Sequence, residues 1–217
     1  MGTISLTSKK VVIIVAHPDD ETLWAGGTIL DNPDWTCLII SLCRGKDPDR
    51  SVRFNNALNF LSCEGFMGDL DDGPEQKPLN EADVENTILE LLPSKHFDLI
   101  ITHDPGGEYT RHRRHEETGK SVIRLWINGK ITSPELWTFA YDDDNKSKYP
   151  SAVENASICK PVRKDIWDKK YKLITETYGF KAGGFEAETT PKTESFWRFT
   201  DRGAAEKWLI KPEKIKS

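Results

Sequence analysis

Residues 11–15, Val-Val-Ile-Ile-Val, run without a polar break and lead at once into His17-Pro18-Asp19-Asp20-Glu21. A strand with one wet face alternates apolar and polar residues, whereas a strand covered on both faces reads as a continuous apolar run. Similar runs recur at 36–42 (TCLIISL), 97–103 (FDLIITH) and 135–141 (ELWTFAY), with helical patterns between them. The clearest helix lies at 79–93. Asn80 can cap it, Asp83 follows three residues on, Val84, Ile88, Leu91 and Leu92 form the apolar stripe, and Pro93 ends it. Weaker helical patterns cover 49–62, 113–129 before Gly129, and 161–178; 142–150 reads as a surface loop. Buried strands alternating with helices predict an α/β fold with a mostly parallel sheet covered on both sides. In such open sheets the ligand crevice lies outside the carboxyl ends of the strands. His17 closes the first run and His103 the third, so both belong to that rim.

The chain has 217 residues, enough for one domain with a substantial core, and a formal charge of −5, which argues against a nucleic-acid partner. Its longest apolar run, 11–16, is far short of the roughly 20 residues that cross a bilayer, and the opening residues have no charged-then-apolar signal pattern. The four cysteines, Cys37, Cys43, Cys63 and Cys159, form no C-x-x-C pair and read as free thiols in a reducing, cytoplasmic setting.

His17 and Asp20 are three apart across a strand-to-helix turn. That spacing can bring an imidazole nitrogen and a carboxylate oxygen to one metal ion. Zn²⁺ takes N and O ligands at about 2.0–2.2 Å, and a catalytic site uses three of them with a place left for water. Asp20 also falls at a helix N-terminus, where the dipole favours an anion. Asp19 is then free to act as a base. A plain capped helix would use the same acidic residues, so a remote third ligand is required. The segment 102–117 holds three of the five histidines, and His112 and His115 share a face if helical. One of the two can bind metal while the other faces substrate.

The motif AHPDDE, followed by Gly26-Gly27 and later by GEY with His112 and His115, resembles the PIG-L (LmbE-like) family of zinc-dependent N-acetylglucosaminyl de-N-acetylases. The resemblance is strongest over residues 10–140. It implies a Rossmann-like three-layer sandwich, one Zn²⁺ per chain, and hydrolysis of an N-acetyl group to acetate and a free amine. By position, His17, Asp20 and His115 match the family's metal ligands and Asp19 its general base. His112 matches the residue that protonates the leaving amine or stabilises the oxyanion. Tyr109 resembles a tyrosine near the family's site, and Arg53 and Asp72 resemble positions that touch substrate in some members. There is one departure. The family usually reads H-P-D-H in the second motif, and this chain reads His112-Arg113-Arg114-His115. Arg114 is therefore expected either to lower the pKa of His112 or to bind substrate.

Arg50, Arg53, Arg111, Arg113 and Arg114 flank the expected rim, so an anionic group on a small N-acetylated substrate would suit them. A homo-oligomer is left open. A nucleotide-binding domain would need a glycine-rich turn after the first strand, where the acidic HPDDE would repel a pyrophosphate. A non-sugar amide hydrolase, or a metal-binding relative with little turnover, fits the same motifs.

Overall fold

The computed structural model describes residues 8–109 and 112–210. Its frame is a seven-stranded sheet. In chain order the strands are β1 (Lys10–Val15), β2 (Thr36–Cys43), β3 (Glu64–Leu70), β4 (Leu99–Thr102), β5 (Leu136–Phe139), β8 (Ile158–Pro161) and β9 (Thr193–Phe199). Their spatial order is β3-β2-β1-β4-β5-β9-β8. The first five are parallel, and β9 runs antiparallel between β5 and β8. β1 lies near the centre because its side chains suit no edge: Val12, Ile13, Ile14 and Val15 are each 0% exposed. Each fully buried Val or Ile contributes on the order of 1.5–3 kcal/mol.

Alternate residues of β1 feed two cores. Val11, Ile13 and Val15 face a layer containing α1 (Asp20–Asp31), α2 (Pro48–Leu61) and a π-helical turn at Leu173–Thr177. Val12 and Ile14 face α3 (Glu81–Leu91), α4 (Arg113–Ile127) and α7 (Arg202–Leu209). This is the expected α/β sandwich.

Several elements differ from the expectation. The apolar run 135–141 is divided: β5 ends at Phe139, and β6 (Tyr141–Asp142) pairs instead with β7 (Ser151–Ala152), so 143–150 is the loop of a small ribbon. The helix expected over 161–178 is α5 (Lys164–Lys172) followed by the π-helical turn, because Pro161 still belongs to β8 and Gly179, at φ +78, turns the chain away. β3 carries Gly65 and Gly68, which interrupt its alternation, and so leaves little strand pattern to read. α6 (Phe185–Thr189) is a five-residue helix.

Gly27 marks where α1 meets β9. A Cβ there would lie 2.9 Å from Glu194 Oε1 and from both methyls of Val162. Without it, Glu194 accepts hydrogen bonds from Gly27 N–H (2.7 Å), Thr28 N–H and Thr28 O–H (both 2.6 Å) and Lys170 Nζ (2.6 Å). Lys170 is 0% and Glu194 2% exposed. This ion pair ties α1 and α5 to the sheet. Removing one charge of such a pair leaves the other buried and uncompensated, which costs about 3–5 kcal/mol. Glu194→Gln is expected to lower unfolding free energy in urea by that amount; an unchanged midpoint would mean that Lys170 reaches water.

Candidate metal centre

The chain leaves β1 at Val15 and reverses sharply. Asp19 has φ 125 and ψ −30, a backbone conformation an L-residue with a side chain seldom adopts. Such a residue costs on the order of 1–3 kcal/mol and persists only where its surroundings enforce it. Here the Asp19 N–H donates to Glu21 Oε2 (3.0 Å), while the buried Glu21 accepts hydroxyl bonds from Thr22 and Tyr178 (both 2.6 Å) through Oε1. The twist separates two adjacent carboxylates. Asp19 turns toward Arg50, whose Nη1 lies 3.2 Å from its Oδ2, and Asp20 turns into the protein.

Asp20 stands at the centre of the site. Its Oδ2 accepts the His17 N–H (2.9 Å) and lies 3.2 Å from His17 Nδ1 and 3.4 Å from His103 Nε2. Its Oδ1 accepts the Trp24 indole N–H (3.2 Å) and lies 3.3 Å from His115 Nε2. The second half of the site comes from β4 and α4. His103 follows β4 and is 0% exposed; the Ala16 N–H donates to its Nε2 (3.0 Å), which places its hydrogen on Nδ1, toward Glu108 (2.9 Å). His112 occupies the N-cap of α4, and His115 sits in its first turn. The close seating of α4 depends on Gly119: a Cβ there would meet the carbonyl oxygens of His103 at 2.5 Å and Asp104 at 2.9 Å. His115 consequently stacks on His103, with ring centroids 4.0 Å apart, and on His112 at 4.3 Å.

The outward nitrogens of both candidate ligand histidines are held by carboxylates. His17 Nε2 meets Asp72 Oδ1 at 3.2 Å, and His115 Nδ1 meets Glu108 Oε2 at 2.6 Å. A metal-ligating histidine characteristically donates its other ring nitrogen in this way, which fixes tautomer and ring orientation. His17 Nδ1 and His115 Nε2 each lie within 3.3 Å of an Asp20 oxygen, and such nitrogen and oxygen donors suit a divalent ion with N/O preference. Ligand atoms of His17, His112 and His115 lie within 4.8 Å of one another, as do those of Asp20, His103 and His115.

The electrostatics follow from burial and these contacts. Burial works against the charge on Asp20, but the facing His115 and His103 outweigh it and hold the carboxyl well below its usual range. Burial also opposes the charge on Glu108, and its two histidines bring it down to about 2. Asp19 shifts the other way, well above the usual range, through burial and the charge of neighbouring Asp20. Burial, with His115 and His17 adding repulsion, takes His112 down to about 3. His112 is therefore neutral at neutral pH, and its buried Nδ1 has no hydrogen-bond partner.

The structure gathers His17, Asp19, Asp20, Tyr109, His112 and His115 at one rim; the Tyr109 ring sits edge-on to His115 (5.4 Å) and His112 (5.8 Å). Three residues expected to bind substrate are placed differently. Asp72 lines the open groove, but its carboxylate is engaged by His17, Arg44 and Gln76. Arg53 bonds Asp49 (2.6 Å) and the carbonyls of Thr177 (3.4 Å) and Tyr178 (2.8 Å), whereas Arg50, one turn earlier, reaches Asp19. Arg114 is 1% exposed, so it presents no edge to a substrate. Its guanidinium bonds the carbonyls of Asp71 (2.5 Å) and Lys77 (2.9 Å) and the carboxylate of Glu117 (2.6 Å), and it faces away from His112. The expected effect of Arg114 on His112 is thus replaced by burial and the neighbouring imidazoles. Arg113 is exposed, and Arg111 lies outside the described residues. Glu108, Tyr178 and Trp24 carry no signal of their own along the chain, whereas Glu21, a capping or supporting carboxylate by its place after Asp20, holds the Asp19 backbone. Asking which carboxylate serves the second nitrogen of His115 points to Glu108 in GEY.

Fold and site define an open α/β protein with a buried His/Asp/His cluster at the carboxyl edge of its sheet. The chain belongs to the PIG-L family: residues 12–126 match that family, described as GlcNAc-PI de-N-acetylase. An uncharacterized protein of Acanthamoeba polyphaga mimivirus is 28% identical over 177 residues, covering 75% of this chain and 76% of its own. Among solved structures, N,N'-diacetylchitobiose deacetylase from Pyrococcus horikoshii superposes with a TM-score of 0.71 at 15% identity, over 95% of this chain and 88% of that one. The zinc-inhibited form of a teicoplanin deacetylase gives 0.59 at 15%, over 83% and 88%. The 4-carboxy-2-hydroxymuconate hydratase of Pseudomonas putida KT2440 gives 0.61 at 13%, over 88% and 95%. These structural likenesses establish the fold.

Two predictions arise from this geometry. Glu108→Gln removes the anion that His115 and His103 share, so affinity for an added divalent metal is expected to drop about 10–100-fold; unchanged affinity in a metal titration would show that Glu108 does not orient His115. Arg114→Met is expected to cost about 2–4 kcal/mol of unfolding free energy, because Glu117 loses its cation and the carbonyls of Asp71 and Lys77 lose a charged donor. A stability equal to that of the parent protein, with a raised KM instead, would return Arg114 to a substrate-facing role.

Proposed function

We propose that the chain is a zinc-dependent deacetylase, with one Zn²⁺ per chain, that hydrolyses the N-acetyl amide of an N-acetylglucosamine-type conjugate to acetate and a free amine. The observation that carries this reading is the Asp20 carboxylate set between His17 Nδ1 and His115 Nε2, with Asp19 turned aside from it. Family membership supports N-acetyl hydrolysis. The relatives supply two precedents, a deacetylase of N,N'-diacetylchitobiose and a teicoplanin deacetylase recorded in a zinc-inhibited form. The hydratase that shares the fold acts on a different bond, so the argument for deacetylation rests on the family and the site. The chain acts as one domain over 1–217, in the cytoplasm as expected from its cysteines; no helix among the described residues is long and apolar enough to cross a membrane.

In this reading His17, Asp20 and His115 hold the metal. When bound, zinc lowers the pKa of water toward about 7 and polarises the acetyl carbonyl. Asp19 accepts the proton of the attacking water. Burial and Asp20 favour its protonated form, so it then holds that proton and returns it to the departing nitrogen. Arg50 steadies the Asp19 carboxylate, and the Glu21–Tyr178 pair fixes its backbone. His112, being neutral, serves as a hydrogen-bond donor to the developing oxyanion and not as the acid; a donor of this kind contributes about 3 kcal/mol. Tyr109 closes the rim beside both histidines.

Metal analysis and acetate release test the assignment together. The purified protein is expected to hold one zinc per chain, and His17→Ala or His115→Ala to lose it while staying folded. Asp19→Asn is expected to keep the zinc while kcat falls about 10²–10⁴-fold, the typical contribution of a general base. Loss of zinc from Asp19→Asn would mean that Asp19, and not Asp20, is the ligand; full activity would refute the hydrolytic mechanism.

A further inference from the structure

A groove of about 860 Å³ opens from the metal cluster, with His112 in its wall and the segment 69–76 along one side. His112 and Asp72 belong to both groove and cluster, so whatever extends beyond a reacting acetamido group enters this space. Its lining is one-sided. Among the described residues that line it, Asp47, Asp69, Asp71 and Asp72 stand with one guanidinium, Arg44. Arg44 is bound through two nitrogens to Asp72, at 2.7 and 2.6 Å. Asp69 has a cation only in Lys46, which reaches it from a side chain 88% exposed. Asp47 takes N–H bonds from Asp49 and Arg50 as a helix cap and meets no cation at ion-pair distance among the described residues. Asp71 is 64% exposed on its side chain and lies 3.4 Å from Arg114, whose shorter charged bond goes to Glu117.

The hydrogen-bonding inventory leans the same way as the charge. Gln76 donates through Nε2 to Asp72 Oδ1 (2.9 Å) and to the Gly73 carbonyl (3.2 Å). Two acceptors at that end fix the amide orientation, so the end left without a partner is the carbonyl Oε1, which is buried. A buried acceptor with no donor is rare in a native structure and calls for one. Among the described residues, therefore, the groove presents carboxylates and a Gln76 whose donor end is already used, and Arg44, its one lining cation, is spent on Asp72. A phosphate or carboxylate supplies no donor and meets like charge; an ammonium or a hydroxyl supplies donors, and the ammonium also answers the excess of negative charge.

We infer that this groove is the substrate's second subsite and selects a cationic group, so that the N-acetylated substrate carries a free amine near its acetamido group and no anionic one. This rests on the deacetylase reading and reverses the anionic substrate that the arginine count suggested. Of those arginines, Arg114 is buried, Arg53 is tied to Asp49 and two carbonyls, Arg50 faces Asp19, Arg113 is exposed and does not line the groove, and Arg111 lies outside the described residues.

Three sugars that differ only at C6 test it on the zinc-loaded protein: 2-acetamido-6-amino-2,6-dideoxyglucose, N-acetylglucosamine and N-acetylglucosamine 6-phosphate. Acetate release is expected to rank ammonium above hydroxyl above phosphate in kcat/KM, with about tenfold or more between the ends at low ionic strength and less as salt screens the groove. The double variant Asp69→Asn/Asp71→Asn is expected to compress that ranking toward equality. A phosphate substrate equal to or better than the neutral one, or a ranking that the double variant leaves intact, overturns the inference. If none of the three yields acetate, the deacetylase reading fails for amino sugars, and calorimetric binding of the same three compounds still decides the groove: tightest binding of the amine supports it, and tightest binding of the phosphate overturns it.

Discussion

The site depends on one buried anion. Asp20 is 3% exposed, yet its carboxylate receives an indole N–H and a backbone N–H and faces three imidazoles. A charge in that position would be costly alone. It is tolerated because the Trp24 indole and the His17 backbone donate to it, because His17 and His115 are potential cations beside it, and because it opens α1, where the helix dipole favours negative charge. The dependence is mutual. Without Asp20 the imidazoles of His17, His103 and His115 would crowd one another with nothing between them. Asp72 and Glu108 then take the outer nitrogens of His17 and His115, so each ring is held at both ends before any ion arrives.

Such a centre needs rigid walls, and the elements that supply it are fastened to the sheet from outside. Gly119 lets α4 rest on the backbone that follows β4, which sets the stacking of His115 on His103. The Lys170–Glu194 pair fastens α1 from the other layer through the N–H groups of Gly27 and Thr28. Tyr178, beyond the π-helical turn, reaches Glu21 and through it the Asp19 backbone. The strained φ of Asp19 fits this arrangement. It divides two consecutive carboxylates between an inner, strongly anionic position and an outer one of higher proton affinity, the division that the proposed ligand and proton carrier call for.

Much of this was legible along the chain. The unbroken run Val11–Val15 set the buried centre of the sheet, and strand-end histidines set the rim, since both follow from periodicity and chain direction. What the residues along the chain do not carry is rotation about an axis. Arg50 and Arg53 share a helix face, and only the tilt of α2 decides that Arg50 meets Asp19 while Arg53 meets the carbonyls of Thr177 and Tyr178. Asp72 was recognisable as belonging to the site, but its partner on the opposite motif was not, because 55 residues separate it from His17. β3 and β9 were hidden for a related reason: glycines blur the first, and the second gains its place by insertion between β5 and β8.

Arg114 shows how a departure inside a motif can act at a distance from it. Residues two apart on a helix do not face each other, so with His112 and His115 turned to the cluster, position 114 must point elsewhere. It points to the segment 71–77, where it binds the carbonyls at both ends. That segment carries Asp72, and Asp72 orients His17. An arginine beside one histidine of the second motif thereby steadies the histidine of the first, through a loop that is also the acidic wall of the groove. A single buried guanidinium thus anchors both the aspartate that meets His17 and the aspartates along the approach to the cluster.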